Sequence, residues 1–263
     1  MEKIWRRIND WKNKLLSMAG KEVLVKAVLQ AIPVYMMSVY RFPQRTLDDI
    51  EKLNGQFWWD KAGRKGISWI RRETLQRKKE DEGIGFKDLR SFNEAILIKI
   101  CWRIITQPHL LVSRVLKARY CQGRDLYNAR LGRCPSHIWR GVMKNLEMFL
   151  TGLDWDEGKN RFIWSLSSNG VFTVRSAYDL MMKYKCSNRP DEREQSSMTL
   201  IRKFWNTIWK CEIPNKIKIF CWRLYHEALP DAKNLIRRRV EFESYCQICG
   251  GEGESAAHIV KDC

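Results

Sequence analysis

The chain has 263 residues, enough for one or two domains with a buried core, and 48 Lys and Arg against 30 Asp and Glu leave a formal charge of +18 at pH 7. With nine cysteines, an odd number, and an N-terminus without a basic-then-apolar leader, neither secretion nor a disulfide framework is expected. The longest apolar stretch, 31–40, is interrupted by Pro33 and is too short to cross a bilayer, so an intracellular protein of nucleus or cytoplasm is expected, with no membrane span.

From residue 1 to about Met18, Ile4, Trp5, Ile8, Trp11, Leu15 and Leu16 recur at helical spacing among Arg and Lys, which predicts an amphipathic helix that Gly20 ends. Glu22 to Tyr40 predicts a second helix, kinked or divided at Pro33. Thr46 or Asp48 caps a third, with Ile50, Leu53, Phe57 and Trp58 on one face. Lys61–Gly66 and the glycine-punctuated stretch after Arg77–Glu82 read as loops, and Ile67–Trp69 as a short strand or a helix entry. Ser91 caps a helix running to Ile105 and stopped by Pro108, and 110–120 and 136–150 predict two more. In FIWSLSSNGVFTV, two apolar runs flank Ser167–Gly170, and the Asn-Gly pair predicts a β-hairpin turn there. Thr173 or Ser176 then begins a helix to about Lys185.

Residues 186–198, containing SNRPDEREQSS, lack apolar periodicity and read as a flexible linker. Helices over about 199–210, 215–228 and 232–239 follow. The expected class is mainly α: a helical N-terminal region (1–150), one short hairpin with its helix (161–185), the linker, and a small C-terminal helical module (199–263).

That module carries the clearest chemistry. Cys246, Cys249, His258 and Cys263 form C-x2-C-x8-H-x4-C. Two thiolates two residues apart grip one ion from a single turn, and a His and a Cys five positions apart can close the tetrahedron from a following helical turn. Three sulfurs and one imidazole suit Zn2+, and four protein ligands leave no open position for substrate, so the zinc is expected to be structural. Gly250, Gly251 and Gly253 supply the turn between the halves of the site. Cys101 and Cys221 sit in apolar helical contexts and read as packing residues.

Several segments in order resemble one family. LLSMAGKEVLVKAVLQAIPVYMMSVYRFP, FWWD, GIGFKDLRSFNEAILIKICWRI and VLKARY are similar to the region downstream of the polymerase palm in plant non-LTR (LINE-type) retrotransposon polyproteins. NGVFTVRSAYDL, FWNTIWKCEIPNKIKIFCWRLYHEALPDAKNLIRRRV, CQIC and HIVKDC resemble the zinc-binding domain of their reverse transcriptases. The resemblance implies a structural zinc and contact with RNA or DNA. It does not imply catalysis by this chain, because the paired aspartates of a palm have no counterpart: Asp48-Asp49 lies at a helix start, and a ribonuclease H region would lie beyond Cys263. Only 148–160 separates two regions that relatives hold further apart, which suggests a shortened middle, and Cys263 at the end of the chain predicts a weakened zinc site.

The expected function is therefore a non-catalytic, zinc-stabilised nucleic-acid-binding fragment of a retrotransposon reverse transcriptase. The alternatives are a zinc-stapled protein-interaction module, perhaps with a polymerase chain in trans, or a non-functional remnant; an enzyme is the weakest reading. Twelve Trp, ten Phe and eight Tyr beside so many cations suit single-stranded bases better than lipid headgroups. Candidate contacts, tolerant of sequence, are Arg237, Arg238 and Arg239, with Lys216, Lys218 and Arg223 beside Trp222. Trp222 itself reads as core in an amphipathic helix. No small-molecule substrate is expected.

Overall fold

Apolar stripes at 3.6-residue spacing, opened by capping side chains, account for most of the chain. The computed structural model, which describes residues 2–12, 16–60, 66–187, 195–243, 245–251 and 253–263, is mainly helical, with one two-stranded sheet among them. Two compact units form: Met1–Val28, Lys52–Phe86 and Arg193–Cys263 make the first, and Leu29–Glu51 with Lys87–Glu192 make the second. Residues 1–150 are thus divided between the units, whereas 161–185 falls in the second and 199–263 in the first. No single described helix is long and apolar enough to cross a membrane.

In the first unit, α1 (Glu2–Lys12) buries Ile4 and Ile8, and its Trp11 ring lies 5.7 Å from Phe57. Leu15, expected on the same stripe, lies outside the described residues. Ser17, not Gly20, sets the next boundary: its hydroxyl accepts from the Gly20 amide at 3.2 Å, so Gly20 sits in the first turn of α2 (Met18–Leu24). A π-helical turn, Val25–Leu29, and the break at Pro33 then lead to α3 (Val34–Met37), which belongs to the second unit, so the predicted second helix is divided as expected. The third, α4 (Gln44–Trp59), starts directly after Pro43, ahead of Thr46 and Asp48. Ile67–Trp69 is neither strand nor helix but leads into α5 (Arg72–Gln76), and within the predicted loop of Lys61–Gly66, residues 61–65 lie outside the described set.

The charged run Arg77–Glu82 does more than turn. Glu82 adopts φ 64° at the end of a short 3-10 turn, Lys79–Asp81, and its backbone carbonyl accepts from Trp222 Nε1 at 2.8 Å and pairs with His226 Nε2 at 2.8 Å. Its carboxylate accepts from the Tyr225 hydroxyl at 2.6 Å. These aromatics come from α11 (Asn215–Tyr225) and the residue after it, and Trp205 on α10 (Gln195–Lys210) packs its ring against Tyr225, His226 and Trp209. Trp222 is fully buried, the core role expected of it. Of the predicted linker, 186–187 closes one helix and 195–198 opens α10, while 188–194 lies outside the described residues.

The second unit is built on α6 (Leu89–Thr106), which packs against α8 (His137–Leu150) and α9 (Val174–Ser187). Asp88, not Ser91, is its cap, accepting from the Ser91 amide at 2.8 Å. The helix predicted over 110–120 is α7 (Leu111–Leu116) continued by a π-helical turn, Lys117–Cys121. The hairpin exists, but its strands are β1 (Leu153–Asp156) and β2 (Arg161–Trp164), antiparallel, with Leu153 opposite Trp164 and Trp155 opposite Phe162. Ser167–Gly170 is indeed a turn, closed by Trp164 N–H donating to the Gly170 carbonyl at 2.9 Å. It feeds α9 rather than a strand, because the Thr173 hydroxyl already accepts from the Ser176 amide at 3.1 Å and leaves too little chain for a ladder.

Trp164 is the centre of this core. It lies 6.0 Å from Phe149 and 5.0 Å from Phe172, and its Nε1 donates to the Ser176 hydroxyl at 2.9 Å. Gly152 lies against the ring, and a Cβ there would stand 2.4 Å from it. Gly152→Ala should therefore destabilise this unit by about 1–3 kcal/mol through overpacking. The check is hydrogen exchange in peptides covering 137–164, where unchanged protection would contradict the expectation.

Candidate metal centre

Residues 245–251 and 253–263 shape a loop around the four predicted ligands. The Cys246 amide donates to the Gly251 carbonyl at 2.7 Å and the Gly250 amide to the Cys246 carbonyl at 2.8 Å, closing a tight turn across the C-x2-C pair. Gly250 and Gly253 hold φ of 72° and 79°, a region costly for residues with a Cβ, which explains glycine in this return path. The second pair sits on a π-helical turn, His258–Asp262, in which the Cys263 amide donates to the His258 carbonyl at 2.8 Å. A five-residue hydrogen-bond period brings His258 and Cys263, five positions apart, towards one face, which an α-helical turn would not do.

The ligand atoms of all four residues lie within 4.8 Å of one another. Cys246 Sγ and Cys263 Sγ are 3.9 Å apart, and Cys249 Sγ and His258 Nε2 are 3.2 Å apart. A tetrahedral zinc with bonds of about 2.3 Å to sulfur and 2.0–2.1 Å to nitrogen requires edges of roughly 3.8 Å and 3.5 Å, so the donor set fits the ion in chemistry and in spacing. Zinc is accordingly the cofactor of this region, and Cys246, Cys249, His258 and Cys263 are the residues placed to hold it. When bound it supplies a cross-link between the two halves of the loop, with no position left for substrate.

The electrostatics are uneven across the quartet. Backbone amides of Cys249 and Ile248, pointing at the Cys246 sulfur, pull its thiol down to about 6. Desolvation and the neighbouring thiols push Cys263 up to about 11, and the Cys249 and Cys246 sulfurs raise the His258 imidazole above its ordinary value. Cys246 is buried, His258 half-buried, and Cys249 and Cys263 exposed. Among the described residues this is the single group of three or more His, Cys, Asp or Glu gathered closely enough for a metal.

The six predicted phosphate contacts separate into two kinds. Lys218 is buried with its Nζ donating to the Trp209 carbonyl at 2.9 Å, and Arg223 donates to the Ala228 carbonyl through Nε at 3.2 Å and Nη2 at 2.8 Å. Burial lowers the Arg223 pKa from its ordinary value. Lys218, on α11, thus satisfies a carbonyl in the last turn of α10, and Arg223 satisfies a loop carbonyl just past the end of α11. Lys216, Arg237, Arg238 and Arg239 are exposed. Arg237, on α12 (Ala232–Arg237), forms an exposed ion pair with Glu227 at 3.4 Å, and Arg238 donates to the Trp69 carbonyl at 3.1 Å with its guanidinium near that ring.

Two residues that spacing did not single out join α12 to the metal loop. Asp231, 5% exposed, caps α12 by accepting from the Asn234 amide at 2.7 Å, while its other oxygen accepts from the Ala256 amide at 2.8 Å. Glu254 accepts from the Ala232 amide at 3.3 Å through its side chain and from the Lys233 amide at 3.1 Å through its backbone carbonyl. Asp-x-x-Asn at 231–234 carries a cap signal, but nothing in the linear order ties it to Ala256.

Comparison with known proteins places these features. The family model for zinc-binding in reverse transcriptase matches residues 172–263. A putative ribonuclease H protein of Arabidopsis thaliana is 24% identical over 340 aligned positions, which take in all of this chain and 53% of that protein. An uncharacterised mitochondrial protein of the same plant is 38% identical over 125 residues, 47% of this chain and 81% of the relative. The chain spans about half the length of the first relative, and the alignment is longer than the chain, so that protein carries residues with no counterpart here.

Proposed function

We propose, because this chain belongs to the plant retrotransposon family of reverse-transcriptase-related proteins, that it is a zinc-stabilised nucleic-acid-binding fragment of a LINE-type reverse transcriptase without catalysis of its own. The observation that supports this is the clasp of Asp231 and Glu254, which fastens α12 to the metal loop and would couple the position of Arg237, Arg238 and Arg239 to bound zinc. Three exposed guanidiniums at the end of a short helix suit phosphate through their planar forks, and the exposed Arg237–Glu227 pair is weak enough to exchange for it. The partner is RNA or DNA bound with little sequence preference, inside the cell.

The donors that the chain gathers are three thiols and one imidazole, a closed set for structural zinc rather than a phosphoryl-transfer centre. Phosphoryl transfer by polymerase or ribonuclease H needs carboxylates converging on metal, and among the described residues no such group assembles. The activity named for the longer relative belongs to a protein of which this chain spans 53%. Magnesium-dependent primer extension and hybrid degradation by the purified chain should both stay at background, and clear activity in either would end the non-catalytic reading.

The binding test is titration of the full chain with a labelled 20-nucleotide single strand across salt. Replacing Arg237, Arg238 and Arg239 by Gln should weaken binding and reduce the slope of log K against log salt by about 2, since each lost single-strand phosphate contact removes roughly 0.7. Asp231→Ala should weaken binding without removing any cation. A salt-insensitive complex with another protein, and no complex with the strand at low salt, would favour the zinc-stapled interaction module instead.

A further inference from the structure

A second basic surface lies in the other unit, away from every residue considered above. Between Arg114 and Arg140 the chain carries seven Lys and Arg against one acid, Asp125. Most of this segment is a loop whose ends are clasped: the Ser136 amide donates to the Tyr120 hydroxyl at 2.9 Å, and Trp139 Nε1 donates to the Arg130 carbonyl at 3.2 Å. The Tyr120 and Trp139 rings stack at 4.7 Å and 7°. Leu126 is buried beneath the loop, and Gln122, Gly123 and Gly132 take positive φ to fold it back. These are the marks of an Ω-loop, a surface loop packed on itself with its ends together.

Its outward groups are Arg119, Arg124, Arg130 and Arg133, all exposed, with Tyr127 50% exposed among them. The lone carboxylate is occupied by the Tyr127 hydroxyl. None of the four arginines forms an ion pair among the described residues, and Arg119 lies over its neighbour Tyr120. Three of these guanidiniums stand on the loop and Arg119 stands at its edge, and together they raise a positive potential that a bound polyanion would neutralise.

We infer that the loop from Tyr120 to Ser136 is a binding surface for single-stranded nucleic acid, with Arg119, Arg124, Arg130 and Arg133 on consecutive phosphates and Tyr127 against a base. Arginine in place of lysine at all four positions suits paired hydrogen bonds to phosphate oxygens, and an exposed phenol offers the stacking face that unpaired bases use. The loop has Leu131 as its other exposed large apolar side chain, too little to insert into a lipid surface. This surface is independent of zinc, because it belongs to the unit that lacks the metal loop.

The test uses the full chain, a 20-nucleotide oligouridylate, and vesicles of phosphatidylcholine with phosphatidylserine. Arg124→Gln, Arg130→Gln and Arg133→Gln together should weaken strand binding at least tenfold and lower the salt slope by about 2. Tyr127→Ala should weaken binding about tenfold with the slope unchanged. The triple Lys variant, which keeps charge, should keep most of the slope and confirms folding. Strand binding that survives the triple Gln variant with its slope intact overturns the inference, as does vesicle binding that depends on these arginines when strand binding does not. If Arg237–Arg239 variants abolish binding and the loop variants leave it unchanged, this surface fails while the zinc-module reading stands; the converse result separates them the other way.

Discussion

Removing zinc from the full chain, by chelation or by Cys246→Ser, should unfold residues from about 231 to 263 while leaving the rest of the first unit ordered. Beyond Asp231 the described chain buries Ala232, Cys246 and Ala256 but no large apolar side chain, whereas Ile236, Phe242, Tyr245, Ile248 and Val260 are 43–75% exposed. Hydrophobic burial at about 25 cal/mol per Å2 cannot hold such a segment against its backbone entropy, so its order rests on the metal. Structural zinc contributes about 10–16 kcal/mol of apparent binding free energy in comparable small modules, and here that is folding free energy. Trp205 and Trp222 are fully buried against the Glu82 turn and do not depend on the loop. Hydrogen exchange read by peptide should show protection lost in α12 and after it, and kept in α10 and α11. Cys211→Ser, at an exposed thiol away from the quartet, should change nothing. Equal protection of 231–263 with and without chelator would sink the structural-zinc assignment for this loop.

The metal centre was legible because its information is local. Thiol, imidazole and glycine at fixed spacing specify an ion whatever surrounds them, and the structure adds the π-helical turn that reconciles the interval between His258 and Cys263. The cations were less legible because charge alone does not reveal a partner. Lys218 and Arg223 look identical in sequence to free phosphate contacts, yet they hydrogen-bond the carbonyls of Trp209, left over at the end of α10, and of Ala228, in the loop after α11. The Asn-Gly turn at 169–170 was a correct turn read with the wrong consequence, since the strand that β2 needed lay upstream. There Leu153 and Trp155 alternate with Asp154 and Asp156 before a turn at Gly158 and Asn160. Glu82 was hidden inside a charged run that reads as solvated, and its placement under Trp222 and Tyr225 depends on residues about 140 positions away.

Asp88→Ala should loosen the α6–α9 packing in the second unit. Asp88 is 3% exposed and fills three roles at once: its carboxylate caps α6 at the Ser91 amide, it pairs with Lys185 on α9, and its own amide donates to the Tyr178 hydroxyl at 3.0 Å. Burial alone would raise its pKa, but the Lys185 ammonium and the Ser91 amide outweigh it and hold the carboxyl below its ordinary value. A lost N-cap costs about 1 kcal/mol. A fully buried pair broken on one side costs about 3–5 kcal/mol, but the Lys185 side chain is 39% exposed and can rehydrate, so the combined loss should be about 2–3 kcal/mol. Asp88→Asn keeps the cap and loses the charge, and should fall between wild type and Asp88→Ala. The sign of the pH effect follows from the depressed folded pKa. Stability is fully present above the ordinary carboxylate value of about 4 and is lost as pH falls through the lower folded value. Hydrogen exchange in α6 and α9, followed from pH 6 to 3, should show wild type approaching Asp88→Asn only at the acidic end. A constant gap between the two across that range would mean that the Lys185 pair contributes nothing and that Asp88 acts through its cap alone.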